Sequence, residues 1–183
     1  AIELVKKTLG STVDYRRTEF VGPTVGEELK EAGLLAIGLA LLSILIYIWM
    51  RFEWQFGVGA LIALTHDIIT TIGLFAILNY EFNLATVAAI LTIAGYSIND
   101  TVVVYDRVRE NLRKYKKLDL LALFNMSINE TLSRTTMTSV TTLLALFSIF
   151  FFGGAVLADF ALAMIWGVCI GTYSSIFIAV PVI

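Results

Sequence analysis

Residues 32–50 read AGLLAIGLALLSILIYIWM, nineteen positions without a charged side chain. A helix needs about 20 such residues to cross about 30 Å of hydrocarbon. Four more apolar blocks follow at short intervals: Phe56–Leu78, Leu84–Tyr105, Thr135–Phe152 and Val156–Val180. A bilayer offers no water to backbone N–H and C=O groups, so each block must bond within itself and is expected to be helical. A transmembrane barrel would show short alternating strands instead. The expected fold is an all-α integral membrane protein with five transmembrane helices.

Composition agrees. Of the 183 residues, 58% are hydrophobic and 15% charged, against about 25% charged in soluble domains. The mean hydropathy is +0.84. An ordinary soluble domain, a disordered chain and a collagen-like repeat are excluded. One cysteine, Cys169, and one histidine, His66, leave no material for a disulfide framework or a Cys/His metal cluster. The net charge of −2 gives no broad basic surface for nucleic acid. The chain has no phosphate-binding glycine loop and no Ser/His/Asp set, so neither an enzyme nor a cofactor site is expected.

Arginine and lysine in the breaks set the orientation. Residues 51–55 carry Arg51, and residues 106–134 carry Arg107, Arg109, Arg113, Lys114, Lys116, Lys117 and Arg134. The breaks at 79–83 and 153–155 carry none. The positive-inside rule places the first two in the cytoplasm. Asp106–Lys117 is expected to extend the third helix into water. Leu121, Phe124, Ile128 and Leu132 repeat at helical spacing and predict an amphipathic helix on the cytoplasmic face. The basic cluster has a plain explanation in topology and in attraction to lipid headgroups.

The N-terminal segment then lies outside. Ala1–Leu9 suits a short helix and Val13–Val21 a strand that Gly22-Pro23 ends. Residues 1–22 are expected to be the tail of a truncated α+β periplasmic domain, which makes the chain a fragment; residues 23–183 form the membrane domain. Thr24 and Glu27 match a capping box. They predict a helix from Thr24 that follows the membrane surface and enters it near Ala32.

Function is sought where the membrane makes side chains expensive. A charge at mid-helix costs about 2.5–3.5 kcal/mol on insertion scales, so such residues usually face protein or water. Asp67, Asp100 and Asp159 fall within the spans, with no Lys or Arg among them. Asp159 is near an outer end and reads as interfacial. Thr92, Tyr96 and Asp100 form one stripe at i, i+4, i+8, with Ser97 and Asn99 beside it. Arg134, Thr138, Thr141, Ala145 and Ser148 line a small, polar face of the next span. The two stripes are expected to face each other around a hydrated path, with Arg134 bending inward toward Asp100. Burial raises a carboxyl's pKa and a guanidinium lowers it, so such an acid either loads and unloads a proton or serves as a structural ion pair or a protonated tether. His66 and Asp67 adjoin the small face Gly59, Ala63, Thr70, Gly73 and give a secondary polar path or a packed donor. Gly167 and Gly171 form a GxxxG contact face.

Several stretches in order carry a resemblance: Val21-Gly22-Pro23-Thr24-Val25-Gly26, Arg51-Phe52-Glu53-Trp54, His66-Asp67-Ile68-Ile69, Gly95-Tyr96-Ser97-Ile98-Asn99-Asp100-Thr101, Asp106-Arg107-Val108-Arg109-Glu110-Asn111, Ser133-Arg134-Thr135 and Phe152-Gly153-Gly154. Together they resemble the SecF family of bacterial protein-export membrane proteins, of the resistance-nodulation-division superfamily. The resemblance runs from about Val21 to the end. It implies six spans with a periplasmic domain after the first, so that this chain holds spans two to six. It also implies an accessory role in the Sec translocase of the inner membrane, with SecD, the SecYEG channel, YajC and an unfolded preprotein as partners, driven by the proton-motive force (sodium in some relatives). The family's coupling acid falls on Asp100 and its partner arginine on Arg134. The alternatives are half of a proton-driven small-molecule exporter of the same superfamily, or a structural assembly subunit.

Overall fold

The computed structural model describes residues 23–80 and 84–183. The helix and strand expected before residue 22, and the periplasmic tail they belong to, lie outside the described residues. Within them, regular structure is helical throughout: α1 (Pro23–Arg51), α2 (Trp54–Leu78), α3 (Leu84–Lys114), α4 (Leu120–Phe152), α5 (Ala155–Ser174), a π-helical turn (Ser175–Ala179) and a final short α6 (Val180–Val182). Five helices are long and apolar enough to cross a membrane. The expected spans are present.

Their ends have local causes. α1 starts at Pro23, whose missing N–H is no loss at a first helical position. Thr24 therefore lies in the first turn and not at the cap, and α1 runs as one helix to Arg51. α2 stops at Asn79, which takes the left-handed conformation at φ 54°. Asn79 N–H then bonds the Ala76 carbonyl and Tyr80 N–H the Phe75 carbonyl, closing a Schellman motif. Gly154 turns the chain into α5 at φ 77°, a conformation that favours glycine.

α3 and α4 have 31 and 33 residues, about 46 and 50 Å at 1.5 Å per residue. Both outrun the hydrocarbon, and the basic C-terminal end of α3 and the N-terminal end of α4 continue past it as an antiparallel pair. The amphipathic helix is thus the first part of α4 and runs straight into the span. Its buried face is Leu123, Ser127, Thr131, Thr135 and Ser139, an i, i+4 row that holds across the membrane boundary. Three of the four hydroxyls in that row bond back to the helix, Ser127 to Leu123, Thr131 to Ser127 and Ser139 to Thr135, so they pack without unmet donors; Thr135 is the exception. Phe124 and Ile128 flank this face against the core; Leu121 and Leu132, expected beside them, are exposed.

α3 and α5 are central, each with 50% of its span buried, while α1 with 11% is peripheral. The GxxxG of α5 is a contact face as expected. A Cβ on Gly167 would strike Ile93 of α3, and one on Gly171 would stand 3.0 Å from Ser97 Cβ. At the basic end Ile48, Phe52, Phe56, Tyr105, Val108 and Leu123 close the core. Phe56 and Tyr105 meet edge to face at 5.0 Å. Ile183 N–H bonds Val180 O, and Tyr105 O–H fills the carbonyl of Ala179 at 3.0 Å.

Candidate functional site

Helical spacing puts Tyr96 and Asp100 on one face of α3. Asp100 is 1% exposed, and its Oδ2 is buried with no hydrogen-bond partner. Tyr96 Oη on the same face and Thr135 Oγ1 on α4 are in the same state. Unpaired oxygens of this kind are costly in a dry interior. Arg134 is close enough to act on Asp100 electrostatically. The expected inward bend is absent: among the described residues no ion pair joins the two. Arg134 is exposed and lines an 810 Å³ cavity at the basic end. A guanidinium is better solvated in that mouth than inside the span.

Other expected members of the path sort cleanly. Thr138 is half-buried one turn beyond Arg134, and its hydroxyl donates to Thr135 O at 2.9 Å. Asn99 is exposed, because one residue's step turns it about 100° from Asp100. Thr92, Thr141, Ala145 and Ser148 are exposed as well, so the far halves of the two stripes do not meet. The hydroxyls of Thr92, Thr141 and Ser148 donate to carbonyls of their own helices at 2.7–2.9 Å, which lets them face outward without an unmet donor.

The secondary pair proves to be the hub of the packing. Asp67 is fully buried, and its Oδ2 accepts Ser97 Oγ of α3 at 2.6 Å and Ser174 Oγ of α5 at 2.7 Å. His66 Nδ1, in the tautomer that carries a hydrogen there, donates to Oδ1 at 3.1 Å. One carboxyl therefore ties three helices. Thr101 and Ser175 meet one turn further along at 2.9 Å, and Ser139 joins Thr172 at 2.7 Å. Sequence reasoning missed Ser174 and the part played by Ser97. The available signal was Ser174-Ser175 following Gly171 by one turn, opposite Ser97 and Thr101 at i, i+4.

Beyond the span, α3 and α4 are strapped together. Arg107 donates to Glu130 and to Glu110 at 2.7 Å, and Asn111 Nδ2 donates to Glu130 at 2.8 Å and to Ser127 at 3.0 Å. The Asn111 bond, then the Arg107 bond, hold the Glu130 carboxyl below its ordinary pKa. Arg51 pairs with Asp106 at 3.0 Å and joins α1 to this end. Among the described residues no group of three His, Cys, Asp or Glu is placed to hold a metal ion.

The fold and site define a polytopic helical membrane protein with two acids buried between its spans. All 183 residues match the family model for the protein export membrane protein SecD/SecF, C-terminal. The chain belongs to the SecD/SecF family. It is 52% identical to the protein translocase subunit SecF of Rickettsia akari (strain Hartford) and 53% identical to that of Rickettsia bellii (strain OSU 85-389). Each alignment covers 100% of this chain but 60% and 61% of the relative, so the chain spans about three fifths of their length. Among solved structures it is similar to SecDF, a translocon-associated membrane protein from Thermus thermophilus, with a TM-score of 0.84 at 49% identity. That match covers 88% of this chain and 22% of the other. SecDF in its super-membrane-facing form matches with a TM-score of 0.80 at 45% identity, over the same shares. The chain is a multi-pass protein of the bacterial inner membrane.

Proposed function

We propose that this chain is the membrane part of an accessory subunit of the Sec translocase, which works with SecD and uses the proton-motive force to promote preprotein translocation. It performs no enzymatic chemistry; its partners are SecD, the SecYEG channel, YajC and the unfolded preprotein. The family and the relatives' names support the translocase role, and the SecDF match supports SecD as partner. The observation that carries proton coupling is Asp100: a carboxyl sealed in the central helix, with an empty acceptor and an arginine in reach outside the seal. Deprotonation inside the span leaves a buried charge that must find a partner or be expelled. Arg134 is the nearest means of meeting that demand. Its inward movement would pull the α4 span relative to α3, and the rearrangement would pass through the packed bundle to α1 and the periplasmic side.

Asp100→Asn keeps the shape and removes the titratable proton. In the full-length protein with SecD, export by the variant is expected to be slow with a proton gradient and to be unaffected by collapsing the gradient with an ionophore. Export that stays fast and gradient-dependent would refute the role. Undiminished export after neutral replacement of both Asp100 and Arg134 would leave a structural subunit.

A further inference from the structure

The 810 Å³ cavity at the basic end is lined by eleven residues from α1, α3 and α4, six of them Arg or Lys and three acidic. The acids are already engaged: Asp106 by Arg51, and Glu110 and Glu130 by Arg107. Arg109, Arg113, Lys114 and Arg134 have no carboxylate within ion-pair distance among the described residues. Arg109 reaches the Arg51 carbonyl with one Nη at 3.3 Å, while its Nε is buried and has no partner. Four cations thus share one concavity whose own acids are spent. Its depth is fixed by Arg51 at the end of the first span and Arg134 at the start of the fourth, which is the headgroup level of the basic leaflet. Val103 supplies apolar wall on the membrane side.

We propose that this cavity is a binding site for the phosphate headgroup of an anionic phospholipid. Phosphate offers several acceptor oxygens to guanidinium forks and to an ammonium, and basic pockets between spans on this side suit such headgroups. A soluble phosphate presents the same oxygens, but at this depth the lipid is the anion at high local concentration. The site stands on the cavity and on Arg109, Arg113 and Lys114, which take no part in the proton coupling proposed at Asp100.

The test uses the full-length protein in detergent, titrated with fluorescent phosphatidylglycerol or phosphatidylcholine. Phosphatidylglycerol is expected to bind in preference. Arg113→Gln with Lys114→Gln, two exposed positions of which Lys114 has its ammonium over the Tyr115 ring at 5.2 Å, is expected to weaken it roughly thirtyfold. Lys116→Gln with Lys117→Gln removes the same charge outside the cavity and is expected to change binding much less. Helix content by circular dichroism is expected to be unchanged in both. Equal losses in the two double variants would reduce the effect to diffuse attraction and overturn the site. So would equal binding of phosphatidylcholine, or displacement of the lipid by millimolar inorganic phosphate, which would assign the cavity to a soluble anion.

Discussion

Two aspartates lie buried in adjoining helices in opposite conditions. Asp67 Oδ2 holds two hydroxyl donors, whereas Asp100 Oδ2 holds none. The first carboxyl has its demands met by the fold; the second is left to find a proton or a cation. Asp67→Asn can keep its oxygen toward Ser97 and Ser174, so its thermal unfolding in detergent is expected to stay close to the parent. Asp67→Ala removes the acceptor that three helices share and is expected to lose about 1–3 kcal/mol. A melt of Asp67→Ala indistinguishable from the parent would remove the hub. Both acids were legible in the sequence, because a carboxylate inside an apolar block is conspicuous on cost alone. Which of them was satisfied was not legible. The partners Ser97 and Ser174 stand 30 and 107 residues away, and each serine also has the plain reading of a hydroxyl bonded to its own helix.

The five spans followed from hydropathy alone, since length against bilayer thickness needs no tertiary information. Helix ends and faces did not. The row Leu121, Phe124, Ile128, Leu132 is a fair apolar stripe, but α4 turns a row of hydroxyls inward, where Asn111 of α3 meets Ser127 and Thr172 of α5 meets Ser139. The strap between these helices carries a pH signature. Glu130 titrates lower folded than unfolded, so its contribution is complete above the unfolded value of about 4.3 and is lost as pH falls through the folded value. Hydrogen exchange over residues 120–133 is expected to be slow at neutral pH and to quicken in acid, and Glu130→Gln is expected to flatten that dependence. Equal acid sensitivity in the variant would contradict the strap. At the α3–α5 contact, Gly167→Ala gains about 1 kcal/mol of helix propensity but drives a methyl into Ile93, at about 1–3 kcal/mol for overpacking. A net loss of melting temperature is expected, with recovery when the same change is made in an Ile93→Ala background, which removes the Cγ and Cδ carbons that the methyl would strike. No recovery would mean that the two helices do not meet there.

At the scale of the whole molecule, packing is graded. α3 and α5 form the fixed centre, and α1 is attached along one face, through Ile37 against Leu64, Ile68 and Ile90 and through Ile48 and the Arg51–Asp106 pair toward the basic end. Its exposed leucines, Leu34, Leu35, Leu39 and Leu42, face away from the bundle. Such a peripheral helix is suited to carry motion from the centre toward the periplasmic side, and the source proposed for that motion is Asp100. Proton flux is its most direct readout. The full-length protein would be reconstituted together with SecD in liposomes containing a pH-sensitive dye, and the initial rate of acidification measured under an imposed gradient. The parent and Asp67→Asn are predicted to conduct protons above the lipid background, and Asp100→Asn to fall to that background. Parent-like flux through Asp100→Asn would contradict the account.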